Sequence, residues 1–231
     1  MEFNPELAWR ILPALLHGAG VTLSVLVPCL VFGIIIATPI ALGRSSKNPI
    51  IAGLSWFFSM FFRGVPALVV LYMIYNGFAT IGFIRDTVLW NFFSEAYFCA
   101  VLGFTLNHAG FTVEILRGAF KAVPPGLTDA ARSIALPRRL VFFKITFPLA
   151  IRYGLSAYMN EVILFVKGTA ALGAITMIDL LAAANAAVST TYDPFTPLVA
   201  AAAIYWAIVQ IVRIGFERLE AHLNRHLNYV G

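Results

Sequence analysis

The chain has 231 residues, of which 60% are hydrophobic and only 12% charged; its formal net charge is +5 and its mean hydropathy +0.85. An ordinary soluble domain is about a quarter charged, so the composition excludes a soluble enzyme or a nucleic-acid-binding module and reads as a single all-α, polytopic membrane domain. In that setting the excess of lysine and arginine reports which side of the membrane each loop faces.

Residues 1–18 include Glu2, Glu6 and Arg10 and lack the compact apolar core and small-residue cleavage site of a signal peptide. They are expected to form a short interfacial helix leading into a transmembrane domain over 19–216, with a cytoplasmic tail over 217–231. A spanning helix needs about 20 mainly apolar residues, and five stretches meet that length: 20–42, 54–77, 96–116, 153–178 and 196–214. Arg44 and Lys47 follow the first, whereas Arg85 after the second is balanced by Asp86 and Glu95. Between the third and fourth lie Arg117, Lys121, Arg132, Arg138, Arg139 and Lys144 against Asp129; the next connection holds Asp179 and Asp193. Arg213, Arg218 and Arg225 close the chain. Basic residues thus cluster after spans one, three and five, which predicts an external N-terminus and a cytoplasmic C-terminus. The alanine-rich run 182–187 reads as a weakly polar helix near the external end. Cys29 and Cys99, both in apolar surroundings, form neither a disulfide framework nor a metal site and read as packing residues.

The basic connection contains "TDAARSIALPRRL", residues 128–140. Pro124, Pro125 and Gly126 are expected to stop the preceding helix, Thr128 to act as N-cap and Asp129 to complement the dipole in the first turn. Ala130, Ala131, Ser133 and Ala135 keep one side thin, and Pro137 limits the far end. Such a helix can dock in a groove. Composition alone favours a solvated basic loop touching anionic lipid, with each cation contributing about 1 kcal/mol; the order of the residues argues for the docking helix.

That order resembles the EAA loop of ATP-binding-cassette (ABC) importer permeases, here 127–148. Asp129, Ala130 and Ala131 stand at its Glu-Ala-Ala, Ala135 at its glycine, and Ile145, Phe147 and Pro148 at its closing Ile-x-Leu-Pro. Phe62, Arg63, Gly64 and Pro66, with Val65 in place of threonine, resemble the Arg-Gly-Thr-Pro segment of the polar amino-acid branch. "TVEILRGAFKAVPPG" (112–126) and the stretch from Asn160 to Leu172 are similar to that branch as well. The resemblance covers almost the whole chain and lies nearest the M-type permeases for histidine, lysine, arginine and ornithine or for opines. It implies a type I importer permease fold in a bacterial inner membrane and a non-catalytic subunit. The implied partners are a homologous second permease, two ATPase subunits and an external or periplasmic solute-binding protein. Asp129, Ala130, Ala131, Arg132 and Ala135 would then be the coupling residues. The chain has no G-x-x-x-x-G-K-[ST] stretch to cradle phosphates, so it is expected to bind no cofactor, with ATP and Mg held by the partner ATPase.

Intramembrane polar residues are functional candidates because of their insertion cost. Glu114 has Asn107 on its helical face and Arg117 three residues on; it reads as a structural pair with Arg117 or as a substrate contact. Glu161, beside Asn160 and on the face of Gly168, could meet the cationic end of a ligand or pack between helices. Lys167, off that face, and Thr169 are further pathway candidates. Arg63, with Gly64 and Pro66, is expected to hold freed carbonyls or an acid at a helix break. A lone His108 more often packs and hydrogen-bonds than relays protons. The chain has no H-E-x-x-H, no G-x-S-x-G and no paired aspartates, against an intramembrane enzyme. A secondary transporter working alone would leave the docking helix unexplained.

Overall fold

The computed structural model describes residues 2–225 and is helical throughout its regular elements. Helix α1 (Pro5–Gly43) starts where Asn4 accepts the Leu7 amide at 3.1 Å and Pro5 supplies a preset φ. Its 39 residues extend about 58 Å at 1.5 Å per residue. Residues 5–18 therefore do not form a separate interfacial helix; they are the first turns of α1, because Pro13 fails to interrupt the ladder. Helix α2 (Pro49–Gly64) is capped in the same way, Asn48 accepting from Ile50 at 2.9 Å.

The second apolar stretch is broken. Val65, forced out of the helical region by the following proline, is extended, and α3 (Ala67–Tyr72) departs at 102° from α2. A π turn (Met73–Gly77) and a 3-10 turn (Phe78–Thr80) continue α3. Two single-turn helices, α4 (Gly82–Arg85) and α5 (Trp90–Phe93), lead to α6 (Ala96–Ala122). Four helical runs are long and apolar enough to cross a membrane, and the expected five are reached by taking the bent α2–α3 pair as one span.

The basic connection is shorter than expected. Helix α7 (Pro125–Ser133) begins at Pro125, so Thr128 lies inside it, donating its hydroxyl to the Pro125 carbonyl at 2.8 Å, and is not the N-cap. Asp129 falls beyond the first turn for the same reason: a proline at the first helical position starts the helix four residues early. After a turn at 134–137, α8 (Arg138–Val141), a π turn (Phe142–Thr146), α9 (Phe147–Gly168) and a 3-10 stretch (Thr169–Ile175) form one run. The last third of the expected loop is thus the start of the fourth long helix. Asp179 caps α10 (Leu180–Thr191) by accepting from Ala182 at 3.0 Å and Leu181 at 3.4 Å. Asp193 does the same for α11 (Phe195–Leu223) through Phe195 and Thr196. Residues 217–223 of the expected tail belong to α11, and 226–231 lie outside the described residues.

The core gathers where α1, α6, α9 and α10 meet, with Leu15, Val25, Phe104, Val166, Leu172 and Leu180 fully or almost fully buried. Cys29 is buried there and Cys99 in a separate cluster with Val70 and Ile74, both as packing residues, their thiols turned to the carbonyls of Val101 and Phe93. Helices in lipid associate by close packing and small residues rather than by burial from water. Accordingly, a Cβ on Gly110 would stand 2.7 Å from Phe62, one on Gly154 2.8 Å from Ala119, and one on Gly18 2.7 Å from the Asp179 carbonyl oxygen. The outward faces stay apolar, as Leu54, Phe57, Leu164 and Ile211 show.

Candidate functional site

Helix α7 stands at one edge, packed on α8 and the following π turn through buried Ala131. Its end is a Schellman motif: the Ala135 amide donates to the Arg132 carbonyl at 2.9 Å and the Leu136 amide to Ala131 at 3.2 Å. The motif requires a left-handed residue, and Ala135 takes φ 56°. The glycine position of the resembled pattern is therefore a backbone requirement that this chain meets with a strained alanine. Asp129 and Arg132 form an exposed ion pair at 3.1 Å, and Leu127 and Ile134 are exposed beside them. The helix thus offers an apolar tip flanked by one balanced ion pair.

A second feature lies between α2, α6 and α9. Arg63, Phe111, Glu114, Asn160, Glu161 and Leu164 line an open cavity of about 310 Å³. The α9 contributors fall at 157, 160, 161 and 164, one helical face. Glu114 is already engaged: Arg44 donates to it at 3.0 Å, Ser59 at 3.0 Å and Arg117 at 2.6 Å. It ties α2, α6 and the residue after α1 together. Glu161 carries no arginine or lysine partner among the described residues; its nearest cationic-type group is His108 Nδ1 at 3.6 Å.

Arg63 does not hold the freed carbonyls at the helix break. Asn107 does, its amide donating to Phe62 O at 2.7 Å and, at 3.5 Å, to Val65 O, while the Arg63 guanidinium lies over the Phe111 ring, 5.7 Å from its centroid. A short amide on the facing helix reaches the break more directly than a long side chain that originates in it. Gly64 has open space around it and Pro66 begins α3, so the two shape the bend without lining the cavity as side chains. Lys167 sits apart, in a groove of about 610 Å³ with Tyr205, Trp206 and Gln210. Thr169 is fully buried and bonded to its own helix, donating to Val166 O at 2.6 Å. Among the candidates, the structure brings Glu161, Asn160, Glu114 and Arg63 together and separates Lys167 and Thr169 from them. Arg44, Ser59 and Asn107 were not singled out as partners in the sequence because no spacing rule links residues on different helices. Among the described residues there is no group of three or more His, Cys, Asp or Glu side chains placed to hold a metal ion.

Residues 27–225 match the model of the family described as "binding-protein-dependent transport system inner membrane component". The chain is 37% identical over 216 residues to the nopaline transport system permease protein NocM of Agrobacterium fabrum, covering 93% of this chain and 90% of that protein. It is equally 37% identical over 212 residues to the histidine/lysine/arginine/ornithine transport system permease protein HisM of Salmonella typhimurium, covering 91% and 90%. The crystal structure of an amino acid ABC transporter with histidines superposes with a TM-score of 0.84 at 27% identity, covering 96% of this chain and all of that one. The inward-facing MetNI methionine ABC transporter shares the fold alone, with a TM-score of 0.74 at 18% identity over 96% and 99% of the two chains. With the broken second span, the Schellman-capped edge helix and the matched family model in one chain, the protein belongs to the binding-protein-dependent inner membrane components, as a permease of the ABC-importer type.

Proposed function

We propose that this permease imports basic amino acids or opines across a bacterial inner membrane. It does so with a homologous second permease, two ATPase subunits that hold ATP and Mg, and an external solute-binding protein. The basic segments after the first, third and fifth spans support a cytoplasmic C-terminus and an external N-terminus. Helix α7, through Asp129, Ala130, Ala131, Arg132 and Ala135, is the docking element that passes motion of the ATPase pair to α6 and α8, the helices on either side of it. The observation that carries the substrate class is Glu161: a carboxylate on a cavity wall, without an Arg or Lys partner among the described residues, beside the Asn160 amide. An acid held in a membrane interior calls for a cation. Arg63 across the same cavity offers a complementary charge for a carboxylate.

The test is uptake by the complete importer in proteoliposomes, with L-arginine and its neutral isostere L-citrulline as paired probes. Glu161→Gln is expected to weaken arginine uptake more than citrulline uptake; equal losses assign Glu161 to packing. Copurification of the tagged chain should recover a P-loop ATPase and a second permease; recovery of this chain alone would overturn the assembly.

A further inference from the structure

Behind Glu161, away from the cavity, lies a fully buried polar side chain that neither the fold nor the docking helix explains. His108 on α6 has no exposed surface. Its ring is stacked on Phe165, with centroids 4.9 Å apart, and closed in by α1, where a Cβ on Gly33 would stand 2.5 Å from His108 Cδ2. The ring therefore cannot turn freely, and its two nitrogens have fixed surroundings. Nε2 lies 3.3 Å from the Tyr158 hydroxyl and 3.3 Å from the Thr112 hydroxyl. Nδ1 has no hydrogen-bond partner within bonding distance and is aimed at Glu161 Oε1, 3.6 Å away. Both hydroxyls are able to donate to Nε2, and a lone pair on Nδ1 would face the carboxylate repulsively, so the arrangement favoured on both sides of the ring places the lone pair on Nε2 and the hydrogen on Nδ1. That hydrogen then points at the carboxylate.

We propose that His108 is the positioning residue for Glu161: the positive end of its Nδ1–H dipole, 3.6 Å from one carboxylate oxygen, attracts that oxygen toward α6 and leaves the other facing the cavity for the cationic end of the ligand. The inference rests on the reading of Glu161 given above. Its physical reason is the second charge in the same cavity. Arg63 and Glu161 line it together, and a carboxylate with no anchor would be drawn toward the guanidinium, closing the site on itself. An anchor on the opposite side, buried and unable to rotate, keeps the two charges apart. His108 does not touch the ligand; it acts through the orientation of Glu161.

The test uses the complete importer in proteoliposomes and reads the half-saturating concentration for L-arginine and for L-citrulline, with maximal rates measured alongside. The amide nitrogen of an asparagine occupies the place of Nδ1, whereas that of a glutamine occupies the place of Nε2. His108→Asn is therefore expected to keep the wild-type preference for arginine within about twofold. His108→Gln is expected to raise the half-saturating concentration for arginine about fivefold, the scale of a modest net polar interaction, with citrulline and the maximal rate unchanged. Tyr158→Phe, which removes a donor to Nε2 without altering shape, should shift arginine alone in the same direction. Equal behaviour of the Asn and Gln variants overturns the proposal, as does an equal shift for both probes. If His108→Gln does not assemble, Tyr158→Phe combined with Thr112→Val, which removes both donors to Nε2, decides: no selective change for arginine overturns the positioning role. Loss of the arginine preference in Glu161→Gln but not in the His108 and Tyr158 variants refutes this inference alone. Retention of that preference in Glu161→Gln refutes the reading of Glu161 on which it rests.

Discussion

Glu114 makes three hydrogen bonds to side chains, and their contributions should not follow their lengths. The shortest, 2.6 Å, goes to Arg117 three residues along α6; Arg44 and Ser59, both at 3.0 Å, come from elsewhere in the chain. An i,i+3 pair forms as soon as the helix does, folded bundle or not, and adds only about 0.2–0.5 kcal/mol. The Arg44 contact exists only in the packed structure. The Arg44 and Glu114 side chains are 18% and 14% exposed, so the contact should reach the lower part of the range of about 1.5–3 kcal/mol for a hydrogen bond to a charged group. Double-mutant cycles with alanine at 114 paired with alanine at 44 or 117, read by equilibrium unfolding in mixed micelles, should give a coupling of about 1–2 kcal/mol for Arg44 and under about 0.5 for Arg117. A larger coupling for Arg117 than for Arg44 would refute the reasoning, because it would mean that distance outweighs the persistence of the local pair in the unfolded reference.

Three further outcomes follow from the geometry. Ala135→Gly removes a left-handed alanine that costs about 1–2 kcal/mol, partly offset by the greater backbone freedom of glycine when unfolded, and should slow hydrogen exchange at the Leu136 amide; faster exchange would contradict the Schellman cap. Gly18→Ala places a methyl 2.7 Å from a backbone oxygen that cannot rotate away and should destabilise by about 1–3 kcal/mol, whereas Gly20→Ala, with nothing within 4 Å, should not; equal thermal stability of the two variants would show that α1 is free to shift against Asp179. Asp129→Arg breaks only an exposed pair, worth at most about 1 kcal/mol, so the protein should insert and fold normally yet fail to transport; normal uptake by a correctly assembled variant would remove α7 from the coupling path.

Much of the molecule could be read from local chemistry. Apolar length set the number of spans, because crossing hydrocarbon leaves the backbone no other partner than itself. Gly64 and Pro66 marked the break in the second span, since the residue before a proline is disfavoured in the helical region, although Pro13, Pro28 and Pro39 inside α1 show that neighbouring packing can override that preference. Local signals misled at the edges of elements and at Arg63 beside the helix break. Pro125 started α7 earlier than Thr128 would have, because a proline suits the first helical position, where its missing donor is not needed, and the charges of Glu6 and Arg10 did not keep residues 5–18 out of α1.

What depended on the tertiary structure is the pairing of residues distant in sequence. Arg44 and Glu114 are 70 positions apart, Phe62 and Asn107 45 apart, and the facing side chains of His108 and Glu161 lie on different helices. Asn107, His108, Glu114 and Glu161 were visible in the sequence as polar residues in apolar stretches, and so as groups that needed partners, but helical spacing relates only residues of one helix. Which carboxylate is satisfied and which is left facing a cavity is set by how α1, α2, α6 and α9 cross, and those crossings are set by glycines 18, 33, 110 and 154, where a single methyl group would push the helices apart. The composition and order of the chain determined that it spans a membrane and carries a short helix in its basic connection; the packing of its helices decided that Glu114 is bound by three side chains and that Glu161 lines a cavity.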